Sequence, residues 1–489
     1  MKPFFTCAIF LLFAFSCSET EVDVSGAEII IEDVNIVNID GNDIQENQNV
    51  IIKEGRIDQI VSSSARFLSR SNSETTVIDG KDKYLLPGFW DNHVHFRGGE
   101  DLIEENKNLL PLFIVNGVTT VRDAGGDITP AILEWKNQIE AGELPGPDIF
   151  TSGPKLDGPE PGWAGSIELL SADEVPAALD SLEKLGVDYV KIYDSSITGD
   201  IFLAIVDEAE KRELPVSGHM PYSILFNETV ERGLDATEHL YYVLKGSSSE
   251  EEEITEEIMR RQDTDNPLGF WTALDSVLET FDEEAARNTY RNMARHHTAA
   301  MPTLRIGGIL SNLKNTDHSG DEYLNYIGPG IIETYNGRLQ SALRASDEAT
   351  ENRLELQQKF ISMVPEMHDA GVAILAGSDS GPYNTYVYPG ISLHEELEAL
   401  VDAGLSPAEA LQTSAQNGAG FFGLESLYGK AEPGFIADLV LLDENPLDNI
   451  QNTRLIHAVI LNGHQIYQRE QLDHMLDGLE KLYNSTAGD

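Results

Sequence analysis

The sequence has almost no cysteine and little positive charge. Cys7 and Cys17 are the only two cysteines in 489 residues, and both lie before position 18. In a chain processed near that point, disulfide bonds are excluded, and cysteine serves neither as a metal ligand nor as a nucleophile. Lysine and arginine together number 33 against 83 acidic residues, for a formal net charge of −50. A chain this acidic repels phosphate, so nucleic acid is not expected as a partner.

Long apolar runs are lacking beyond the N-terminus. Lys2 precedes the apolar run 4–15, which is too short to span a bilayer and is followed by the small residues Ser16 and Cys17. We interpret 1–17 as the signal peptide of an exported protein and Cys17 as a lipid-attachment site, with plain secretion as the alternative. The acidic stretch 18–26 is then a tether, and the lipid would be the only membrane link, in the cell envelope.

Short β-branched runs with turn residues between them occur near both ends of the chain. They occupy 28–37, 49–60, 436–442 and 458–463. Neither end is long enough to be stable alone. We therefore predict one small β-sandwich domain assembled from 27–85 and 424–470, and a C-terminal helix and tail over 471–489.

The middle of the chain, 86–423, alternates strand-like and helix-like segments. The predicted strands are 89–95, 117–122, 148–152, 188–193, 215–219, 236–240, 299–304 and 373–378. Helices are predicted between them, for example 172–185 and 200–212, and Ser171 with Glu174 forms a capping-box pattern at the start of the first. Eight strands alternating with helices over this length predict an α/β fold, a (β/α)₈ TIM barrel.

Polar residues stand at the ends of five of the predicted strands. They are His93 and His95 on the first, Lys191 on the fourth, His219 on the fifth, His239 on the sixth and Asp379 on the eighth. The carboxyl ends of the strands form the active site of such a barrel, and side chains two apart leave a strand on one face. Each residue alone would more often be a rim side chain or a helix cap. Six together predict a shared site.

The residue types indicate metal chemistry. Imidazole and carboxylate donors suit zinc and similar divalent ions. A lysine ammonium would repel cations, but the pKa of Lys191 should fall between two metals, and its free amine can take up carbon dioxide as a carbamate. That carbamate would bridge two divalent ions. A metal-bridged hydroxide would then be the nucleophile, with Asp379 carrying its proton to the leaving amine.

Several segments resemble those of the amidohydrolase superfamily, and within it the imidazolonepropionase-related, Xaa-Pro dipeptidase-like metal-dependent hydrolases. They are 86–95, 117–126, 237–239, 377–380, 392–397 and 433–439. The resemblance extends over nearly the whole mature chain. It implies that His93, His95 and Asp379 hold the more buried metal and that His219 and His239 hold the second, with carboxylated Lys191 between them.

The resemblance is weaker for the substrate. The segment 152–163 lacks the Gly-Gly-His often found after the third strand of this branch. Tyr193 and Tyr241 lie two residues past predicted ligands and should face the mouth above the metals. Arg122 and Arg305 end the second and seventh strands, where a guanidinium could hold a substrate carboxylate. A structural ion pair is the alternative for Arg122.

Three functions remain open from the sequence. The first is a dinuclear hydrolase that cleaves carbon-nitrogen bonds in dipeptides or N-acyl amino acids. The second is a mononuclear hydrolase of cyclic amides or amidines, including deaminase chemistry, in which Lys191 is an ordinary lysine. The third is a non-catalytic envelope binding protein. The sequence leaves open whether the chain forms homo-oligomers.

Overall fold

The computed structural model describes residues 21–68, 75–262 and 264–484. The predicted signal peptide and the lipid-attachment site at Cys17 lie outside the described residues. Within this part of the chain, no helix is both long enough and apolar enough to cross a membrane.

Strands occur along most of the described chain, singly or in groups. They are β1 (Glu21–Val22), β2 (Ile29–Asn38), β3 (Asp43–Lys53), β4 (Arg56–Ser62), β5 (Arg66–Phe67), β6 (Thr76–Asp79), β7 (Tyr84–Pro87), β8 (Phe89–Val94), β9 (Val118–Asp123), β10 (Asp148–Thr151), β11 (Leu156–Asp157), β12 (Ile167–Glu168), β13 (Val190–Ile192), β14 (Val216–Gly218), β15 (Ala236–Glu238), β16 (Ala299–Met301), β17 (Leu439–Leu442), β18 (Ile456–Leu461) and β19 (Gln465–Gln468).

Helices follow most strands of the middle region. They are α1 (Ile103–Lys107), α2 (Leu110–Val115), α3 (Thr129–Glu140), α4 (Val175–Leu185), α5 (Gly199–Lys211), α6 (Phe226–Glu231), α7 (Tyr241–Gly246), α8 (Glu251–Arg261), α9 (Phe270–Glu279), α10 (Glu283–His296), α11 (Leu304–Asn312), α12 (Pro329–Thr334), α13 (Asn336–Arg344), α14 (Asp347–Asp369), α15 (Ile391–Ala403), α16 (Pro407–Gln412), α17 (Ala415–Phe421) and α18 (Arg469–Asn484). Short 3₁₀ helices occupy Glu100–Leu102, Ala172–Glu174, Glu322–Tyr326 and Ile450–Arg454.

An eight-stranded sheet is built from both ends of the chain. Its order is β19-β18-β17-β7-β2-β3-β4, with β6 also paired to β2, and β17 joins the last part of the chain to β7. The sheet curls, because Ile57 N donates to Phe435 O at 2.9 Å and Ala437 N donates to Gly55 O at 2.9 Å. Isoleucines, valines and leucines of both parts fill one core inside the curl. The strands thus form one continuous sheet, where a sandwich was predicted.

The predicted tether is incorrect for residues 21–26. Glu21 and Val22 pair in parallel with Arg66 and Phe67 of β5. Val22 and Val24 are buried with Ala27 against the face of the eight-stranded sheet opposite its main core. The physical reason is the alternation of valine with acidic residues, which is a strand pattern with one apolar face.

Two parallel sheets form the middle of the chain and establish the α/β class. One has the order β10-β9-β8, and the other has the order β12-β11-β13-β14-β15-β16. A hydrogen bond from Asp188 N to Thr151 O, 2.9 Å long, connects them on one side. On the other side, segment 373–380 makes isolated bridges from Ile374 to Ala300 and from Ser380 to Val94. The predicted eighth strand is therefore two bridge contacts and no regular strand.

The longest insertions are helical and follow β15 and β16. Helices α7 to α10 separate β15 from β16, and α11 to α14 separate β16 from segment 373–380. The final helix, α18, begins at Arg469, two residues before the predicted boundary, and buries Leu472 and Leu479. These insertions lie where they can cover the carboxyl ends of the parallel strands.

Candidate metal centre and active-site cavity

Three predicted ligands converge where β8 meets segment 373–380. His93 Nε2 and His95 Nε2 are 3.3 Å apart, and Asp379 Oδ1 is 3.5 Å from the first and 3.3 Å from the second. All three side chains are buried, and each offers a ligand atom within 4.8 Å of the others. Backbone pairing fixes this arrangement, because Asp379 N donates to His93 O at 2.7 Å. The group can hold a metal ion.

The partners of the Nδ1 atoms orient His93, His95 and His239 so that their unprotonated Nε2 atoms face the shared site. His95 Nδ1 donates to Gly125 O at 3.2 Å, and His93 Nδ1 faces the Met301 thioether at 3.1 Å. His239 Nδ1 lies 2.7 Å from Thr303 Oγ1, whose own proton is directed to a carbonyl. A carbonyl or thioether accepts only, so the proton resides on Nδ1 and leaves Nε2 free to bind a metal.

Burial keeps these imidazoles neutral. Desolvation lowers the pKa of His93, His95 and His219 well below the usual value, and lowers the pKa of His239 to about 3. Burial alone would raise the pKa of Asp379, but the positive charges of Arg338 and Arg97 act in the opposite direction, and the pKa lies below its usual value. The site therefore combines neutral nitrogen donors with an ionised carboxylate, which is the protonation state that metal binding requires.

The remaining predicted ligands lie beside the first three. The ring centroid of His239 lies 5.4 Å from that of His93 and 5.1 Å from that of His219. His239 Nε2 is 3.9 Å from Asp379 Oδ2. Lys191 is buried in β13, where desolvation lowers its pKa well below the usual value. The structure thus brings together all six side chains, which we call the metal centre: His93, His95, Lys191, His219, His239 and Asp379.

Glu238 is a site residue that the sequence reasoning missed. Its carboxylate is fully buried, contacts Lys191 Nζ, and has Oε2 3.8 Å from both His93 Nδ1 and His219 Nε2. Its Oε1 accepts from Ser217 Oγ at 2.9 Å. The sequence does show an acidic residue directly before the predicted ligand His239. It was not counted as a site residue because consecutive side chains of a regular strand point to opposite faces. His239 escapes that rule because its φ is 62°, in the left-handed region.

The substrate contact predicted for Arg122 is incorrect. Arg122 is buried among the strands, where Nε donates to Asn92 O at 2.7 Å and Nη2 donates to Glu238 Oε1 at 3.1 Å. Its guanidinium lies 4.6 Å from the Phe421 ring centroid, in the interior of the fold. The structural ion pair is the right alternative for this arginine, and its partner is Glu238.

The substrate contact predicted for Arg305 is incorrect as well. Arg305 begins α11 one residue inside the helix, and its Nε donates to Glu395 Oε2 at 2.7 Å. It does not line the cavity above the metal centre. Strand β16 ends at Met301, three residues before the predicted strand end, and helix α11 begins at Leu304, so the guanidinium points elsewhere.

A cavity of about 560 Å³ opens above the metal centre. His219, His239 and Asp379 line its floor, and Tyr193 and Tyr241 line it as predicted. Its outer side, which we call the helical wall, consists of residues on α9, α11, α13 and α14, among them Trp271, Ile306, Arg338, Arg353 and Phe360. The cavity is therefore mostly aromatic and apolar, with two arginines that the sequence reasoning missed.

Residues 84–466 match the sequence profile of the Amidohydrolase family. The chain belongs to the amidohydrolase family. It is accordingly a hydrolytic enzyme, and the predicted superfamily is confirmed. Ochratoxinase from Aspergillus niger is 22% identical over 423 residues, which cover 75% of this chain and 72% of ochratoxinase.

Solved structures share the fold of this amidohydrolase. A putative prolidase from Bifidobacterium longum superposes with a TM-score of 0.64 at 25% identity, and the match covers 92% of this chain and 98% of the prolidase. A Xaa-Pro dipeptidase with bound methionine gives a TM-score of 0.65 at 19% identity, with 90% and 99% of the two chains covered.

Proposed function

We propose that this amidohydrolase cleaves the amide bond of dipeptides or N-acyl amino acids with the help of two divalent metal ions, in a closed (β/α)₈ barrel. The observation that carries the proposal is the convergence of four neutral histidines, an ionised aspartate and a buried lysine beneath one cavity, whose floor is lined by three of them, His219, His239 and Asp379. The names of two structural relatives, a prolidase and a Xaa-Pro dipeptidase, support a peptide-like substrate.

The residues present fit two zinc ions. His93, His95 and Asp379 offer three donors to the first, and His219 and His239 offer imidazoles to the second. The lowered pKa of Lys191 supports a carbamate on its amine, which would complete both sites. Bound divalent ions supply Lewis acidity, which acidifies water and polarises the scissile carbonyl.

Asp379 is the proposed proton carrier. Its lowered pKa keeps the carboxylate ionised at neutral pH, so an unprotonated oxygen is present to take a proton from water. Asn384 orients it, because the Asn384 side-chain amide donates to Asp379 Oδ1 at 2.5 Å. The proton then passes from the carboxyl group to the leaving amine nitrogen, which neutralises the amine as the carbon-nitrogen bond breaks.

A mononuclear cyclic amide hydrolase or deaminase is the second candidate, and one contact favours it. Glu238 touches Lys191, so Lys191 could remain an ammonium that pairs with this buried carboxylate. In the described residues, only His93, His95 and Asp379 form a group of acidic or imidazole ligand atoms within 4.8 Å of one another. A single metal would suffice for that group.

Metal analysis combined with a substrate screen separates the two candidates. We expect close to two zinc ions per chain by elemental mass spectrometry, falling in Lys191→Ala together with hydrolysis of a dipeptide and N-acyl amino acid library. Exhaustive chelation should abolish hydrolysis, and added zinc should restore it. One ion per chain and an undiminished Lys191→Ala enzyme would reject the dinuclear proposal in favour of the mononuclear one.

Export and lipid anchoring through Cys17 are also proposed. The support is the apolar run before Cys17 and the acidic stretch after it. Cells that express the full chain should incorporate labelled palmitate into the protein, and Cys17→Ser should not. Equal labelling of both chains would reject the anchor.

A further inference from the structure

Two buried cations near the metal centre have no acidic partner within salt-bridge distance among the described residues. Arginine and lysine side chains are buried at five described positions: Arg97, Arg122, Lys155, Lys191 and Lys245. Three of these have a carboxylate within salt-bridge distance. Glu238 is the partner of both Arg122 and Lys191, and Glu251 is the partner of Lys245. The other two have none. An uncompensated buried charge is destabilising, so its presence in a chain with 83 acidic residues requires another explanation.

Lys155 lies in the segment after β10 that lacks the Gly-Gly-His pattern. Its side chain is 2% exposed, and Nζ makes no hydrogen bond or ion pair within the described chain, facing the rings of Trp163 at 5.1 Å and Tyr193 at 5.8 Å. Gly125 leaves room for it, because a Cβ there would lie 2.9 Å from Lys155 Cγ. The lysine is thus enclosed by the site, although no carboxylate of the described residues lies within salt-bridge distance of its Nζ.

The nearest acids are occupied elsewhere. Asp123, Asp127 and Asp379 attract Lys155 electrostatically, and Asp379 also attracts Arg97, but none of the three lies within salt-bridge distance of either cation. Asp123 accepts from Thr151 Oγ1 at 2.7 Å, and Asp127 accepts from Gly98 N at 2.8 Å. These fixed hydrogen bonds leave the Lys155 ammonium without a carboxylate of its own.

Arg97 lies beside Lys155 and has only neutral hydrogen-bond partners. Its Nε donates to Pro382 O at 3.0 Å and its Nη2 donates to Asn384 Oδ1 at 3.1 Å. Its guanidinium lies 4.0 Å from the ring centroid of Trp163. Burial, to which repulsion from Arg97 adds, lowers the pKa of Lys155 to about 7. The two cations therefore face the same indole and repel each other.

We propose that Lys155 and Arg97 form an anion subsite that binds the carboxylate of the substrate against Trp163. This inference rests on the proposed function and identifies the side chains that bind the substrate carboxylate. A bound carboxylate would supply the missing counter-charge to both side chains and accept charge-assisted hydrogen bonds from them. Tyr193, which faces Lys155 and also stacks on His219 with 4.5 Å between ring centroids, connects the subsite to the metal centre. The substrate carboxylate would therefore lie close to the scissile amide.

The test uses zinc-loaded enzyme and two matched substrate pools. One pool contains N-acetyl amino acids and dipeptides, and the other contains the same compounds with a carboxamide in place of the carboxylate. We expect the wild-type enzyme to prefer the acids. Lys155→Met should raise KM for the best acid about 10- to 100-fold, change kcat less, and leave carboxamide hydrolysis unchanged. Lys155→Arg should recover part of the lost affinity.

Thermal melting separates a binding role from a structural one. Because Lys155→Met removes an unpaired buried cation, we expect its melting temperature to equal or exceed that of the wild type, with unaltered zinc content. Lys211→Met, on the exposed side of α5, makes the same change in net charge and should alter neither KM nor melting.

The outcomes distinguish the subsite from the proposed function. Wild-type KM for the acid in Lys155→Met, or equal losses on both pools with a lower melting temperature, would overturn the subsite and leave amide hydrolysis in place. If the wild-type enzyme hydrolysed neither pool, the proposed function would fail, and the subsite with it.

Discussion

The metal centre and the helical wall enclose the same cavity but are built differently. Five residues of the metal centre lie in or directly after parallel strands, and Asp379 lies in segment 373–380, which isolated bridges connect to β8 and β16. Residues of the helical wall belong to insertions after β15 and β16. The metal centre is buried and rich in ionisable groups, whereas the wall is mostly aromatic and apolar with two arginines.

This difference separates chemistry from selectivity. Strand ends hold ligands rigidly, which metal ions and proton transfer both require. Insertions can vary without disturbing the sheets, so they are suited to determining which substrate fits. If the separation is correct, substitutions in the metal centre should abolish turnover, and substitutions in the helical wall should mainly change KM.

The largest effect is expected from the metal centre itself. His93→Ala removes a metal donor, and Asp379→Asn removes the proton carrier, so each should lower kcat/KM by orders of magnitude. Circular dichroism and melting should show a folded protein. His457→Ala, on β18 beside Asp443, is the matched control and should retain full activity. Wild-type turnover in either of the first two variants would contradict the assignment of the metal centre.

A smaller but still large effect is expected from Glu238, which connects the metal centre to the interior. Glu238→Gln leaves buried Arg122 without a charged partner, and we expect it to lower the free energy of unfolding by about 3 kcal/mol. Turnover should fall as well, because the carboxylate also contacts Lys191. Ser217→Ala removes only one hydrogen bond to Glu238 and should cost about 1 kcal/mol.

Urea unfolding and steady-state kinetics measure both consequences of the Glu238 substitution. If Glu238→Gln were as stable and active as the wild type, the Glu238 carboxylate would not connect the metal centre to Arg122 in the interior of the fold.

The helical wall should produce a change in affinity alone. Arg338 lines the cavity on α13 and has no ion pair among the described residues, so Arg338→Met should raise KM for anionic substrates about 10-fold. Zinc content and kcat should stay near wild type. Arg344→Met, on the exposed end of the same helix, is the control. Loss of zinc from Arg338→Met would show that wall and metal centre are not separable.

The sequence predicted which side chains lie near one another because five of the six predicted ligands lie in or directly after regular strands. The first seven predicted barrel strands overlap observed ones, and ligand atoms of three predicted ligands, His93, His95 and Asp379, lie within 4.8 Å of one another. The eighth strand is replaced by isolated bridges in a segment where Gly377 approaches His93 closely and Asp379 has a φ of 58°. Such conformations depend on contacts between distant residues, which local patterns do not contain.

The ion pair inside the fold and the residues of the helical wall could not be predicted either, because they too depend on contacts between residues far apart in the sequence. Arg122 ends a strand like a ligand would, yet it turns inward to Glu238, which is 116 residues away. The capping box predicted at Ser171 also fails, since Glu174 instead accepts from Leu170 N at 2.8 Å. Local rules identify which residues can cap or bind, and tertiary packing decides between the available partners.

An effect on stability alone, with no change in turnover, tests how the wall is attached to the strands. Glu396 on α15 accepts from Leu304 N at 2.9 Å and Arg305 N at 2.6 Å, so it holds the first turn of α11. Burial raises the pKa of Glu396 to about 7, above its usual value of 4.5. The folded protein therefore binds the proton more tightly than the unfolded chain does. This stabilisation is fully present below about pH 4.5 and is lost as the pH rises through 7.

Up to about 3 kcal/mol of unfolding free energy should disappear over that window in metal-free protein. Glu396→Gln resembles the protonated side chain and should flatten the dependence, whereas Glu395→Gln on the same helix should not. Urea unfolding at pH 5 and pH 7.5 measures the slope for each protein. Equal slopes in wild type and Glu396→Gln would mean that α11 is held by its apolar contacts, and that the wall depends on packing where the metal centre depends on charge.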